Sequence, residues 1–201
     1  MGTNRLESFS DGVFAVAITL LVLGIAVPPP PQAHLLHQLA TKWPQYAAYV
    51  VSFLTIGIIW INHHAMIGRL READHSILIL NLLLLMSIGI LPFATSLMAT
   101  YLREPSGESV AAAVYGGALL VMAIFFALLN RHILLNRPHM LDAELSEQER
   151  RRILVRSVSG VGPYVVATAL AFVSPFVTLG ICGALVAYYA LPVASGLNQP
   201  G

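Results

Sequence analysis

The feature that most constrains this chain is a series of six apolar stretches along its whole length. An α-helix needs about 20 residues to cross about 30 Å of hydrocarbon, and lipid offers no hydrogen-bond partner to an unpaired backbone group. With 57% hydrophobic and only 10% charged residues, the composition agrees with repeated membrane crossings. The sequence therefore predicts an all-α integral membrane protein, a single domain over residues 1–201 with six transmembrane helices, at 5–27, 44–67, 76–101, 109–129, 153–173 and 175–194.

The basic residues indicate how these helices are oriented. Positively charged side chains concentrate in cytoplasmic connections. Only Lys42 and Arg103 fall on one side of the predicted spans. The other side holds Arg5, Arg69, Arg71, Arg131, Arg137, Arg150, Arg151, Arg152 and Arg156. We therefore expect both termini to be cytoplasmic.

Several classes of function are disfavoured by composition and motifs. The net charge of +1 is spread along the chain without a basic, aromatic face, so no nucleic-acid partner is expected. Cys182 is the single cysteine, which excludes an intrachain disulfide and a thiolate metal site. A histidine could in principle act with Ser10 or Ser52, but the sequence contains neither G-x-S-x-G nor H-E-x-x-H. We expect no enzymatic activity and no cofactor.

A polar motif opens the first predicted span, with Arg5, Phe9, Ser10 and Asp11 leading directly into apolar sequence. A carboxylate inside the hydrocarbon costs roughly 2.5–3.5 kcal/mol on insertion scales, and such groups usually face a bundle interior or a water-filled path. Asn4 and Glu7 have the spacing of a capping box, so the helix is expected to begin before Arg5 and to carry the whole motif. Asp11 alone could also be an interfacial residue that interacts with the helix dipole.

A second polar cluster, Trp60, His63 and His64, lies near the cytoplasmic end of the second span, at the depth of the first motif. Where several copies assemble, Ser10 and Asp11 could form a ring at the cytoplasmic end that attracts cations. Alternatively, their side chains could lock the first helix in place by bonding to Arg5 or to the two histidines. We favour the lock, because a buried polar network between the two helices is geometrically reasonable.

The adjacent histidines also raise the possibility of a metal site. Consecutive side chains on a helix diverge by about 100°, so His63 and His64 cannot readily hold one ion. We expect no bound zinc there.

An aliphatic stripe follows the motif, with Val16, Leu20, Leu23 and Val27 at helical spacing. Considered alone, such a stripe is typical of core or lipid-facing packing. Thr19 beside it could simply bond back to its own helix.

The stretch R-x-x-x-F-S-D at Arg5–Asp11, together with W-I-N-H-H at Trp60–His64, resembles the transmembrane protein 175 family of potassium channels. The resemblance implies a prokaryotic six-span unit in the cell membrane, assembled as a homotetramer with the first helices lining a central pore. It further implies a constriction at Val16, Leu20 and Leu23, a contribution of Thr19 to potassium preference, and potassium as the permeant ion, with no other metal. Val16 is smaller than the isoleucine or leucine common in the family.

Two functions of different classes follow. The first is a potassium-selective channel with a hydrophobic gate, whose partners are its own copies, the lipid bilayer and potassium ions. The alternative is a proton-coupled secondary transporter in which Asp11, His63 and His64 exchange protons.

Overall fold

The computed structural model describes residues 3–30, 34–142 and 145–190, and the regular structure in this part of the chain is helical apart from one isolated bridge between Leu70 and Leu141. Short 3₁₀ turns at Leu21–Gly24 and Pro138–Met140 and a π turn at His132–Asn136 extend or connect the helices. The α-helices are α1 (Thr3–Leu20), α2 (Leu35–Thr41), α3 (Trp43–Ile67), α4 (His75–Gly89), α5 (Leu91–Tyr101), α6 (Glu108–Arg131), α7 (Glu147–Ser159), α8 (Val161–Leu170) and α9 (Pro175–Ala190).

Five helical segments are long and apolar enough to cross a bilayer, namely Thr3–Gly24, Trp43–Ile67, His75–Tyr101, Glu108–Asn136 and Glu147–Leu170. These segments confirm an integral membrane protein. The predicted sixth span is represented by α9, which is apolar but shorter, and residues 191–194 of that prediction lie outside the described residues. At 1.5 Å per residue, the described part of α9 is about 24 Å long, somewhat less than the hydrocarbon thickness.

Two predicted spans are interrupted by proline. The third breaks at Ile90 between α4 and α5, two residues before Pro92, and the fifth breaks at Gly160, three residues before Pro163. Proline removes a backbone donor and its ring clashes with the carbonyl four residues earlier, so the helix bends or ends in the preceding turn. Each interrupted pair still forms one membrane-length segment.

The fifth predicted span begins too late. Its helix starts at Glu147 rather than at 153, because Ser146 and Glu149 form a capping box in which each side chain satisfies the other's backbone N–H. The Ser-x-x-Glu signature is visible in the sequence. Hydropathy does not mark residues 147–152 as part of a span, because they are mostly charged, and α7 extends through them ahead of the apolar stretch.

Helix α6 forms the centre of the bundle and packs against helices α4, α5, α7, α8 and α9. One side of this packing depends on polar bonds between neighbouring helices. The hydroxyls of Ser52 and Tyr115 lie 3.0 Å apart, and Thr95 donates to Ser52 at 2.8 Å. All three side chains are buried, so they fix α3, α5 and α6 relative to one another. Ser52 thus has hydroxyl partners rather than a histidine.

Helices α6 and α8 approach closely at Gly116. A Cβ added there would lie 2.9 Å from Thr168 Oγ1 and 3.2 Å from its Cα, whereas a Cβ at the adjacent Gly117 would meet nothing within 4 Å. Such close contact of small residues is common between membrane helices.

Replacing Gly116 with valine is expected to destabilise the protein by about 1–3 kcal/mol, because the backbone of α8 must move to make room. Gly117→Val introduces the same side chain into open space and is the matched control, with a change expected within about 0.5 kcal/mol. Thermal denaturation of the detergent-solubilised proteins measures both. Equal loss of stability in the two variants would contradict the close approach.

The start of α4 is fixed by Asp74, which precedes it and accepts a hydrogen bond from the backbone N–H of Ile77 at 2.8 Å. Arg137 Nε and His132 Nε2 lie 2.8 and 3.4 Å from the other carboxylate oxygen. Although partial burial opposes ionisation, these bonds lower the pKa of Asp74 to about 2. The carboxylate therefore ties α4 to the segment after α6 and sets the position of the polar residues that α4 carries.

Candidate functional site

Helix α1 attaches to the rest of the subunit through one face and leaves another open. It begins at Thr3, so the whole polar motif lies on helical backbone, as expected. The attached face consists of buried side chains at helical spacing, namely Leu6, Ser10, Phe14, Ala17 and, in the following 3₁₀ turn, Leu21. These side chains pack against α3 and α4, which lie beside α1.

A chain of buried hydrogen bonds crosses from α1 to α4 and on to α3. Asn81 Nδ2 on α4 donates to Ser10 Oγ at 3.1 Å, and Ser10 donates in turn to the carbonyl of Leu6 at 2.8 Å. Asn81 Oδ1 lies 2.7 Å from His63 Nε2 on α3. Because an amide oxygen can only accept, His63 must carry a proton on Nε2. Ser10, His63 and Asn81 are at most 1% exposed, so each depends on these partners for its hydrogen bonds.

Two further contacts join α1 to α3 nearer the surface. Trp60 Nε1 donates to Asp11 Oδ1 at 2.8 Å, and His64 Nδ1 lies 2.9 Å from Glu7 Oε1. The Glu7 and His64 side chains are 28% and 56% exposed, so this contact contributes little, about 0–1 kcal/mol even when His64 is protonated. Leaving a buried donor or acceptor unpaired costs more, about 1–3 kcal/mol. The buried Ser10–Asn81–His63 chain therefore dominates the polar attachment of α1.

The structure brings five of the predicted polar residues into this region, namely Ser10, Asp11, Trp60, His63 and His64. The other two predicted residues do not join them. Arg5 is exposed and, within the part of the chain that the structure describes, forms no ion pair. Phe9 is exposed on the open face of α1. Ser10 reaches His63 only through Asn81, rather than directly.

Asn81 and Glu7 were missed by the sequence analysis. Asn81 is a single amide inside the apolar run of α4, and a lone polar residue at that depth usually faces the bundle interior. Glu7 lies one helical turn before Asp11 and was assigned to a capping box. Asn4 lies inside the helix, which already includes Thr3, and the Glu7 carboxylate contacts His64 instead.

The potential metal ligands that lie close together in this region do not include both adjacent histidines. Ligand atoms of Glu7, Asp11 and His64 lie within 4.8 Å of one another, while the His63 ring is directed to Asn81. Two carboxylates and an imidazole could hold a divalent cation. Here Glu7 is in contact with His64, and Asp11 with Trp60, each through one carboxylate oxygen.

The aliphatic stripe lies on the open face of α1. Val16, Leu20 and Leu23 are 57%, 43% and 76% exposed, and Val27 beyond them is exposed as well. The apolar groove beside the stripe has a volume of about 600 Å³. Large aliphatic side chains this exposed in a single subunit must meet lipid, another subunit or an axial passage.

Thr19 is also exposed, and its hydroxyl donates within its own helix, with the carbonyls of Ala15 and Val16 both at 2.9 Å. In a single subunit, the Thr19 hydroxyl is therefore bonded back to its own helix, which is one of the two roles that the sequence allowed for it. A hydroxyl has one proton and two acceptor lone pairs, so this bond leaves the Thr19 oxygen able to accept or to contact a cation.

The end of α1 opposite the polar motif is held by a close backbone contact. The chain tightens into the 3₁₀ turn Leu21–Gly24, and a Cβ at Gly24 would lie 3.3 Å from the Ser96 Cβ on α5. Just beyond the turn, the backbone N–H of Ala26 donates to Gln45 Oε1 at 3.0 Å. Helix α1 is thus attached to the subunit near both ends, and Val16, Leu20 and Leu23 of the stripe lie between these attachments.

Both the sequence and the structure of this chain are similar to those of known proteins. The model of the family described as "Endosomal/lysosomal potassium channel TMEM175" matches residues 5–92, which include the polar motif, the stripe, Trp60–His64 and Asn81. A protein named as a potassium channel from Streptomyces collinus is 44% identical over 98% of this chain and 93% of its own length. Another from Chamaesiphon minutus is 41% identical over 94% of each chain. The crystal structure of a "lysosomal potassium-selective channel TMEM175 homolog" from Chamaesiphon minutus superposes with a TM-score of 0.81 at 40% identity, covering 94% of this chain and 96% of that one.

Proposed function

Because this chain belongs to the TMEM175 family, we propose that it is a potassium channel, an integral membrane protein without enzymatic activity. We further propose that four copies assemble around an axis lined by their α1 helices, and that potassium ions pass along this axis. The relatives named as potassium channels support the first statement. The geometry of α1 supports the second.

The observation that carries the proposal is the division of α1 into an attached face and an open aliphatic face. Ser10 and Phe14 are buried against the subunit, whereas Val16, Leu20 and Leu23 are exposed. The groove beside the stripe is apolar and open, so it is available to a second copy of α1. Four such helices around an axis would turn their stripes inward and form a narrow aliphatic passage.

An aliphatic passage can act as a gate without any closing lid. Ions keep their hydration shells poorly in a narrow apolar constriction, so the passage excludes them when it is tight and dewetted. Small rotations of the α1 helices would widen it. Leu20 and Leu23 provide larger side chains than Val16, so we assign the tightest part of the constriction to the two leucines.

The polar contacts of α1 serve in this proposal as the lock that sets its rotation. Ser10, Asn81 and His63 fix α1 against α4 and α3 at the cytoplasmic end, and Asp11 with Trp60 adds a second contact. Rotating α1 enough to withdraw the stripe would change these distances. The network therefore determines how wide the passage is, without lying on the ion path itself.

The experiment that tests the function is potassium flux from liposomes containing the purified chain. A channel gives flux that follows the potassium gradient without a coupled proton gradient. No potassium flux, with a known channel active in parallel vesicles, would contradict the proposal. Saturable flux that requires a proton gradient and is lost in Asp11→Asn would favour the secondary transporter that uses Asp11, His63 and His64.

Thr19 provides a prediction about selectivity. Its hydroxyl oxygen lies on the open face, where it could replace part of the hydration shell of a potassium ion. Thr19→Val removes the oxygen and keeps the shape, and it is expected to lower the potassium-to-sodium permeability ratio severalfold. Thr19→Ser keeps the oxygen and is expected to retain most of the preference. Reversal potentials in planar bilayers measure both ratios, and an unchanged ratio in Thr19→Val would contradict the assignment.

A further inference from the structure

A second cavity lies away from the α1 stripe and is lined by residues of α3, α6, α7, α8 and α9. Its volume is about 580 Å³, within the range of roughly 300–1,000 Å³ that is typical of small-molecule sites. None of the residues assigned to the pore or the polar lock lines it. It is therefore a separate feature of the subunit.

One end of the cavity is basic. Arg69, Arg152 and Arg156 line it there, and within the described residues none of the three has a carboxylate within 4 Å. The acidic residue in the lining is Glu149, whose carboxylate already accepts from the Ser146 hydroxyl at 2.7 Å and from its backbone N–H at 2.9 Å. Guanidinium groups prefer phosphate and carboxylate partners. This end therefore carries three guanidinium groups against one carboxylate, which leaves an excess of positive charge.

The remainder of the lining is largely apolar and extends deep into the bundle, with Ile58, Ile59, Phe126, Leu185 and Val186 among its residues. Arg69 follows the end of α3, and Thr55 lies fourteen residues earlier at the other end of the lining. At 1.5 Å per residue this separation is about 20 Å. One leaflet contributes about 15 Å of hydrocarbon, half of the bilayer core. The cavity thus matches one leaflet and its interface in length.

From this combination we infer that the cavity binds one anionic phospholipid per subunit, with the phosphate on Arg69, Arg152 and Arg156 and an acyl chain against the apolar wall. Basic pockets between membrane helices are typical sites for anionic headgroups. A water-soluble phosphate would satisfy the arginines but leave the apolar wall without a partner. The inference concerns a site outside the pore and goes beyond the proposed function.

The test is native mass spectrometry of the detergent-solubilised protein, titrated with dioleoyl phosphatidylglycerol. The variant R69Q/R152Q/R156Q is expected to bind this lipid roughly tenfold or more weakly than the natural chain. The control variant R71Q/R131Q/R151Q removes three exposed arginines that do not line the cavity and has the same net charge as R69Q/R152Q/R156Q. The affinity of this control variant for the lipid is expected to lie within about twofold of that of the natural chain. Equal weakening in both variants, or none in the first, would overturn the inference.

Two further measurements distinguish a bound phospholipid from other possible occupants of the cavity. Ala65→Trp fills the cavity and leaves the arginines in place, so it is expected to weaken phosphatidylglycerol binding while helicity and subunit number stay unchanged. Glycerol 3-phosphate is expected not to compete with the lipid. Full competition would identify a soluble phosphate site and overturn the inference. So would a loss of assembly in R69Q/R152Q/R156Q with lipid binding intact, because that result would assign the cavity to a second copy of the chain.

Discussion

Replacing Leu20 and Leu23 together with asparagine is expected to increase potassium flux through reconstituted protein roughly tenfold or more, since each 1.4 kcal/mol removed from a barrier is a factor of ten. The two leucines are 43% and 76% exposed on one face of the chain. If four copies turn that face to a common axis, eight amides replace eight isobutyl groups at the constriction. Water then wets the passage, and the dewetting barrier falls.

The matched control for this variant is Val22→Asn. Val22 is 50% exposed, lies between the two leucines in sequence and points roughly 100–120° away from Leu23 around the helix. It therefore tests an exposed aliphatic residue off the stripe. Fluorescence assays of potassium-driven flux in liposomes compare the variants at equal protein density. An equal increase in Val22→Asn, or no increase in the double variant, would show that the leucines do not form the barrier.

Replacing Asn81 with alanine is expected to destabilise the protein by about 2–4 kcal/mol and to change its potassium flux at the same time. Asn81 bridges Ser10 on α1 and His63 on α3, and all three are buried. Without the amide, His63 loses its Nε2 partner and Ser10 loses an incoming bond. The attachment that fixes the rotation of α1 is then weakened, so stability and gating should change together.

Asn130→Ala is the control for the effect of removing a buried amide. Asn130 is buried to a similar degree, but the hydrogen bond that its amide donates within the described residues goes to the carbonyl of Phe126 in its own helix, at 3.3 Å. The expected loss is below about 1.5 kcal/mol, the upper end for one typical hydrogen bond, with unchanged flux. Thermal denaturation and liposome flux measure both variants. If Asn81→Ala behaves like Asn130→Ala in both assays, the network is not a lock.

Much of the helical layout could be predicted from hydropathy. The first four predicted spans differ from the observed segments by a few residues, except that Glu108–Asn136 continues seven residues past the predicted end. The extension of α7 to Glu147 lay in a charged segment, where hydropathy gives no signal and only the Ser146–Glu149 capping box marks the start. The breaks at Ile90 and Gly160 follow from Pro92 and Pro163.

The polar site was predictable in location but not in pairing. The depth of the Ser10–Asp11 motif and of Trp60–His64 could be read from their positions in the spans. Which groups meet depends on how α1, α3 and α4 are rotated about their axes, and single-sequence patterns do not determine those rotations. Asn81 therefore went unnoticed although it bridges the two other helices. Arg5 was expected to participate but is exposed and forms no ion pair within the described residues.

The central claim is that the stripe of α1 lines the ion path, and cysteine accessibility tests it most directly. Cys182 is buried, so a cysteine introduced at Leu23 is the accessible thiol within the described residues. Potassium currents through Leu23→Cys in planar bilayers are recorded while a cationic methanethiosulfonate is added, with Val22→Cys as the control. The account predicts stepwise loss of current in Leu23→Cys and no change in Val22→Cys. Block of Val22→Cys alone, or unchanged currents in Leu23→Cys after labelling is verified by mass, would contradict it.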